Sequence, residues 1–249
     1  MKKLVLLATV FGAFSAAHAD QYISAKLGAS IVKSDLSVYS EEYDLEAPAL
    51  LGNAYASDKE KDTVINASIA YGWALESLPV RAELEYTFRG KADANGTTNR
   101  AYFNGLGDVY TYGTADATVK SQSLMANVYY DFKNTSDFTP YVSAGVGAAF
   151  NKLDVTEYQT GLDGSASAND KKTDFAWSIG AGVSYALDKD LALDLGYRYV
   201  DLGKVNALTV APWYSSYDGG VTSFVGATAS DYEAKLKSHD FSIGLRYKF

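Results

Sequence analysis

The chain has 249 residues, with 22 basic and 30 acidic side chains and a formal net charge of −8. It has no cysteine, which excludes disulfides, thiolate metal sites and a lipoprotein anchor. With a mean hydropathy of −0.13 and no apolar run of about 20 residues, it is not a helical membrane protein. The 20 tyrosines and 21 glycines, beside two methionines and four prolines, favour an all-β chain.

The first 19 residues have the order of a secretory signal peptide. Two lysines and then about ten apolar residues precede an A-x-A cleavage site that ends at Ala19. The apolar stretch is half of the ~20 residues that a membrane-spanning helix needs. We therefore predict cleavage after Ala19, export, and a single domain over residues 20–249.

From residue 22 onward, apolar residues alternate with small or polar ones, the pattern of a strand whose two faces differ. Eight segments of the chain share this pattern. Their apolar positions include Ile23 and Leu27, Ile65 and Ile69, Leu84 and Phe88, Leu124 and Val128, Val142 and Val146, Ile179 and Val183, Leu195 and Tyr197, and Ile243 and Leu245.

The connections between these segments alternate in length. Short ones are predicted at 76–79, 133–138 and 188–190, and long ones near 34–60, 92–118, 151–173 and 202–232. Short periplasmic turns and long outer loops are typical of barrels in the bacterial outer membrane. We predict an eight-stranded antiparallel up-and-down transmembrane β-barrel with four long extracellular loops, located in that membrane.

A soluble barrel of the lipocalin type would show the same alternation with the faces reversed. The polar face here consists largely of serine and glycine, as at Gly145 and Gly147, where a solvated face would carry more lysine and glutamate. Small residues fit the narrow lumen of an eight-stranded barrel. This difference favours the membrane barrel.

Charge is distributed unevenly. The four loop windows hold 16 acidic and 6 basic residues, whereas the rest of the exported chain holds 14 of each. Charged residues of the polar parity are expected to face the lumen and to pair across strands. They are Lys26, Arg81, Glu83, Glu85, Arg89, Lys91, Asp131, Asp194, Arg198, Asp240, Arg246 and Lys248. A structural plug is favoured over a narrow ion path, because a barrel of this size leaves little free space.

Catalytic and metal-binding patterns are weak. His239 is the one histidine of the exported chain, in the run Ser238-His239-Asp240-Phe241. Barrels of the lipid A deacylase type have a His-x-Ser arrangement, and the serine is missing here. A lone histidine at a strand end is usually interfacial, so we predict no enzyme activity, no metal and no cofactor.

Residues 191–205, 237–249 and 140–147 resemble the opacity family of outer-membrane proteins and the related neisserial surface protein. This resemblance implies an eight-stranded barrel of the porin family with surface loops that bind host receptors or matrix. It also implies a C-terminal signal that is read by the barrel-assembly machinery. The residues that match this signal are Phe241, Ile243, Leu245, Tyr247 and Phe249.

These observations predict a non-enzymatic surface protein whose acidic loops act in adhesion or in host or envelope interaction. Tyrosines and small polar residues at 39–55, 102–112 and 213–217 suit an adaptable binding surface, or else form solvated connections. The alternatives are a small diffusion channel and, more remotely, a lipid A-modifying enzyme. Expected partners are outer-membrane lipid and lipopolysaccharide, the barrel-assembly machinery and a host receptor or matrix, and no nucleic acid.

Overall fold

The computed structural model describes residues 19–44, 49–75, 78–103, 108–159, 165–216 and 223–249. Within them there is no helix that is long and apolar enough to cross a bilayer. The described residues form ten strands. They are β1 (Ala19–Asp44), β2 (Ala49–Leu75), β3 (Val80–Arg89), β4 (Ala92–Asp93), β5 (Gly96–Phe103), β6 (Asp108–Asp131), β7 (Phe138–Gln159), β8 (Ser165–Ala186), β9 (Leu191–Ser216) and β10 (Ser223–Lys248).

The strands close into an antiparallel barrel, because β1 pairs with both β2 and β10. Three of the strands share one position in the wall. β3 lies between β2 and β6, β4 continues along β6, and β5 again pairs with both β2 and β6. Eight positions therefore make up the wall, and the predicted eight-stranded barrel is confirmed.

The lower part of the barrel has the facing that a membrane requires. Ile69, Leu195 and Ile243 are between 47% and 67% exposed on the outside, while glycine, serine and charged residues face inward. Aromatic rings collect at both ends of this apolar band. The lower girdle consists of Tyr71, Tyr130, Phe132, Phe138, Tyr247 and Phe249, and the upper girdle consists of Phe88, Phe150, Phe175, Trp177 and Tyr199.

The distance between the two girdles fits a bilayer. His239 is the cross-strand partner of Tyr199 in the upper girdle, and Phe249 in the lower girdle directly follows the last residue of β10, ten residues after His239. At a rise of about 3.3 Å per residue and a tilt of about 40°, this strand segment climbs about 25 Å. The band between the girdles therefore has the height of the hydrocarbon core.

The long connections lie beyond the upper girdle as predicted, but most of each window is strand. We call this part of the barrel the extension. Its described residues are 33–44, 49–63, 91–103, 108–121, 151–159, 165–173, 201–216 and 223–238. The prediction of long loops near 34–60, 92–118, 151–173 and 202–232 is corrected accordingly, because their described residues are mostly strand. The short turns at 133–138 and 188–190 lie where they were predicted, and residues 76–77 of the first turn lie outside the described residues.

In the extension, apolar side chains face inward and polar side chains face outward, which is the reverse of the membrane part. Leu36 and Val38 have the same inward parity as Lys26, yet they are apolar and at most 5% exposed. On the outside, Lys59 and Asp231 are exposed to solvent. Water replaces lipid around this part of the wall, so apolar side chains are stabilised by turning inward. The extension is thus built like a soluble β-barrel with an apolar core.

Candidate functional site

The lumen of the membrane part contains a network of charged side chains. Of the twelve charged residues that are predicted to face the lumen, Lys91 and Lys248 are exposed instead, because they lie beyond or at the end of their strands. The other ten face inward, and each forms an ion pair with another member of this set. Five of them are basic and five are acidic, so the set is neutral. Burial of unpaired charges in a narrow lumen would be costly, and pairing offsets that cost.

At the lower end, Arg81 holds Asp131 through two hydrogen bonds, with Nε 2.7 Å from Oδ2 and Nη2 2.9 Å from Oδ1. The neighbouring Glu83 accepts hydrogen bonds from the hydroxyls of Tyr22, at 3.0 Å, and Tyr129, at 2.8 Å. Arg81 Nη1 lies 3.8 Å from Glu83 Oε1. The carboxylate of Glu83 is therefore satisfied from several strands.

In the middle of the lumen, charges alternate across the barrel. Lys26 Nζ on β1 lies 2.9 Å from Glu83 Oε2 and 2.6 Å from Glu85 Oε2, both on β3. From β9, Arg198 Nη1 reaches the other oxygen of Glu85 at 2.5 Å. These contacts connect strands that are not neighbours in the sheet, so they brace the barrel from inside.

The top of the network is centred on Asp240. Arg89 Nη2 lies 2.6 Å from Asp240 Oδ2, and Arg198 Nη2 lies 3.4 Å from the same oxygen. The hydroxyls of Ser30 and Ser238 donate hydrogen bonds to Asp240 Oδ1 at 2.7 and 2.5 Å. All of the strong hydrogen-bonding positions of this carboxylate are thus in use.

A separate pair lies on the β8–β10 side of the lumen. Arg246 Nε is 3.1 Å from Asp194 Oδ2, and the hydroxyl of Ser184 also donates a hydrogen bond to Asp194. The network leaves an internal cavity of about 30 Å³ beside Lys26, Glu85 and Arg198. A cavity of this size holds one or two water molecules.

Sequence reasoning missed the tyrosines of the lumen. The guanidinium of Arg81 lies 4.6 Å from the ring centre of Tyr129 and 5.3 Å from that of Tyr141, which is the geometry of a cation–π contact. The two rings meet edge to face with centres 5.5 Å apart. A large aromatic residue at an inward parity position was the signal that could have revealed them.

A second filling closes the extension above the charged network. Its side chains are apolar and almost fully buried. They include Leu36, Val119, Leu153, Val155, Leu202, Val205, Tyr232 and Leu236. Glu157 lies among them, where it accepts hydrogen bonds from Tyr232 at 2.9 Å and Thr209 at 3.2 Å. The interior of the described barrel is therefore filled at two levels by different kinds of side chain.

The side chains of the run around His239 lie on opposite faces of the wall. Ser238 and Asp240 face the lumen and hydrogen-bond to each other, whereas the ring of His239 lies on the outer wall. There, His239 Nδ1 is 2.8 Å from the hydroxyl of Tyr197, and its ring also packs edge-on against Tyr199. Among the described residues, no group of three or more histidine, cysteine or acidic side chains could hold a metal ion.

The residues of the predicted assembly signal lie on the outer face of β10, with Phe249 directly after its last residue. Their exposed fractions lie between 48% and 62%. They are Phe241, Ile243, Leu245, Tyr247 and Phe249. Among the predicted binding residues, Tyr39 is 45% exposed and its hydroxyl lies 3.3 Å from Glu41. The side chains of 102–112 and 213–217 lie outside the described residues.

Comparison with known proteins agrees with this architecture. The family described as "Outer membrane protein beta-barrel domain" matches residues 4–249. The outer membrane protein PagN of Salmonella typhimurium is 32% identical over 99% of this chain and 97% of its own. A Rickettsia conorii protein named as a candidate adhesin is 29% identical over 50% of this chain and 47% of its own.

Among solved structures, neisserial surface protein A aligns with 89% of this chain and 99% of its own, at 20% identity and a TM-score of 0.39. The family match covers nearly the whole sequence, and the relative from Salmonella is similar from end to end. The chain belongs to the outer membrane protein beta-barrel family and lies in the bacterial outer membrane.

Proposed function

We propose that this protein is a non-enzymatic adhesin, in which the barrel is an anchor and the extension carries hairpin ends to the surface of a host cell. The observation that carries this proposal is the double filling of the barrel. Ion pairs occupy the membrane part and apolar side chains occupy the extension. The two fillings together make the barrel a rigid stalk and leave little room for a solute to pass through it.

The dimensions of the extension suit contact at a distance. From His239 at the upper girdle, β10 continues outward to Ser223, and β9 runs beside it to Ser216. At about 3.3 Å per residue and a tilt of about 40°, this hairpin rises about 40 Å above the hydrocarbon. Ser216 and Ser223, the described ends of these two strands, thereby lie well outside the membrane, where a partner can reach them.

The name of the Rickettsia relative as a candidate adhesin supports the same role. A diffusion channel is less well supported, because the lumen network leaves a cavity of only about 30 Å³. A lipid-modifying enzyme is also less well supported, because His239 and Asp240 lie on opposite faces of the wall. We further propose that the outward aromatic and aliphatic side chains at the end of β10 are recognised by the barrel-assembly machinery.

The proposal is tested by replacing the connecting residues 45–48, 104–107, 160–164 and 217–222 with Gly/Ser linkers of equal length. Loops tolerate such replacement at little cost, so a folded, heat-modifiable barrel is expected in the outer membrane. Bacteria that display this variant should attach poorly to cultured host cells. A matched variant with the same linker at the periplasmic turn 133–137 should attach normally. Undiminished attachment after all four outer replacements would refute the adhesin role.

A further inference from the structure

Three lysines lie side by side on the outer surface of the barrel, immediately above the upper girdle. Lys33 on β1 is the cross-strand partner of Lys237 on β10 and of Lys61 on β2. The neighbours of Lys33 along the strand, Val32 and Ser34, are buried inside, so the lysine side chains share the outward face. We call these three residues the lysine triad.

Like charges that face each other on adjacent strands repel, because their Cβ atoms are only about 5 Å apart. None of the three ammonium groups is paired with a carboxylate among the described residues. The nearby acids accept hydrogen bonds from backbone amides. Asp62 accepts them from Thr63 and Asp93, and Asp201, the cross-strand partner of Lys237, accepts one from Gly203. Among the described residues, one acid therefore faces a row of three lysines, and the triad keeps an excess of positive charge.

The next layer of lysines, one step farther from the membrane, is arranged differently. Glu233 lies 2.6 Å from Lys204 and 3.7 Å from Lys235. Asp35 is the cross-strand partner of both Lys59 and Lys235. The chain thus supplies its own anions in this layer. The excess positive charge of the triad is therefore open to an anion from outside the protein.

The height of the triad identifies the source of that anion. Lys33 follows Ile31 by two residues, and Lys237 precedes His239 by two. Two residues of a tilted strand correspond to about 5 Å above the upper girdle. This is the level of the lipid headgroups, whose phosphates attract lysines near the membrane surface. A sulfated or phosphorylated glycan of a host cell would meet the barrel much farther out.

We propose that Lys33, Lys61 and Lys237 bind the phosphate groups of the phosphorylated glycolipid in the outer leaflet. Three ammonium groups in a row offer charge-assisted hydrogen bonds to phosphate oxygens and relieve their mutual repulsion by doing so. The inference rests on the anchor role proposed above, since it names the lipid that holds the base of the stalk. It does not depend on what the hairpin ends bind.

A second row of lysines, on β6, β7 and β8, gives weaker support for lipid binding. Lys152 is the cross-strand partner of Lys120 and Lys171. Here the chain provides one acid, because Asp154 lies 2.5 Å from Lys152. The triad on β1, β2 and β10 is therefore the better place to test lipid binding.

The test uses the full exported protein in phosphatidylcholine nanodiscs that contain diphosphoryl lipid A, with bound lipid A titrated by native mass spectrometry. The triad variant is K33Q/K61Q/K237Q. The matched control K59Q/K204Q/K235Q removes the same charge from the layer above, on β2, β9 and β10. We expect the control to bind lipid A as the wild type does, and the triad variant to bind about 100-fold more weakly. Dephosphorylated lipid A should bind all three proteins equally weakly.

Three results would overturn the proposal. The first is equal binding of lipid A by the triad variant and the wild type, and the second is an equal loss in the control. The third is displacement of lipid A by inorganic phosphate or by heparin at matched phosphate or sulfate concentration, which would assign the lysines to a soluble anion. All three proteins should remain heat-modifiable, since the changes are on the surface. Host-cell attachment of the triad variant is measured separately, so failure of the adhesin role and failure of lipid binding are distinguishable.

Discussion

Arg89 on β3 and Asp240 on β10 form an ion pair inside the barrel, with Nη2 2.6 Å from Oδ2, although β1 and β2 separate their strands in the sheet. The side chain of Arg89 is fully buried and that of Asp240 is 5% exposed. The pair therefore spans the lumen and fixes the distance between opposite parts of the wall. Lys26–Glu85 and Arg198–Glu85 also join strands that are not neighbours, whereas Arg81–Asp131 and Arg246–Asp194 join neighbouring strands.

Breaking this pair should destabilise the barrel more than removing it altogether. Arg89→Ala leaves Asp240 buried beside fewer positive charges, and we expect a loss of about 3–5 kcal/mol in the free energy of unfolding. The double replacement Arg89→Met with Asp240→Leu removes both charges and should cost less. Urea unfolding in lipid vesicles measures both. A single variant that is as stable as the double one would contradict the structural role of the pair.

The position of the membrane can be tested with one substitution at two heights. Leu195 and Leu208 are both on β9 and both face outward, at 47% and 62% exposure. Leu195 lies between the girdles, so Leu195→Arg should cost about 2–4 kcal/mol of unfolding free energy. Leu208 lies in the extension, so Leu208→Arg should change stability by less than about 0.5 kcal/mol. If urea unfolding showed the same loss of unfolding free energy for both variants, the membrane position assigned here would be wrong.

Because the extension has an apolar core, truncating a buried side chain there should reduce the unfolding free energy, whereas the same change in a solvated loop would not. Leu236 is fully buried there, and Leu236→Ala should reduce the unfolding free energy by about 2–5 kcal/mol. Leu208→Ala is the matched control on the outer surface of the same region and should cost little. Hydrogen exchange of the extension should also accelerate in the first variant alone. Unchanged exchange after Leu236→Ala would mean that this core is not packed.

Outside the membrane, the Lys204–Glu233 contact should respond to pH. The hydrogen bond from Lys204 lowers the pKa of Glu233, and the same bond raises the pKa of Lys204. The contact therefore contributes above the ordinary pKa of the carboxyl group and is lost as pH falls through the lowered value. It is lost again as pH rises through the raised pKa of Lys204. In a carboxyl NMR titration, Lys204→Gln should raise the pKa of Glu233, and Lys59→Gln should not. An unshifted Glu233 would disprove the contact.

Much of the membrane part could be predicted, because lipid outside and a narrow lumen inside impose a strict period of two on residues such as Ile69 and Leu195. The same period indicated that Arg89 and Asp240 face inward. It could not pair them with each other, because contacts across the lumen depend on the tilt and stagger of strands far apart in the chain. Local patterns carry no information about that geometry.

The sequence predicts loops where the extension lies, and the change of parity of its apolar residues explains why strands are not recognised there. Ile31 belongs to the outward parity of the membrane part, whereas Leu36 and Val38 belong to the inward parity. A search for one continuous apolar face ends at that change, and the acidic, tyrosine-rich windows then look like solvated connections. The inversion itself is the readable signal: it indicates that the wall leaves lipid and enters water while the strand continues.

The most direct test of the anchor role is the conductance of the purified exported protein in planar lipid bilayers. Because ion pairs fill the membrane part and apolar side chains fill the extension, the protein should insert without producing steady current steps. Insertion is verified by heat modifiability of protein recovered from the same preparation. Steady, ion-selective steps that disappear in Arg89→Ala would contradict the account and would make the lumen network a conducting path.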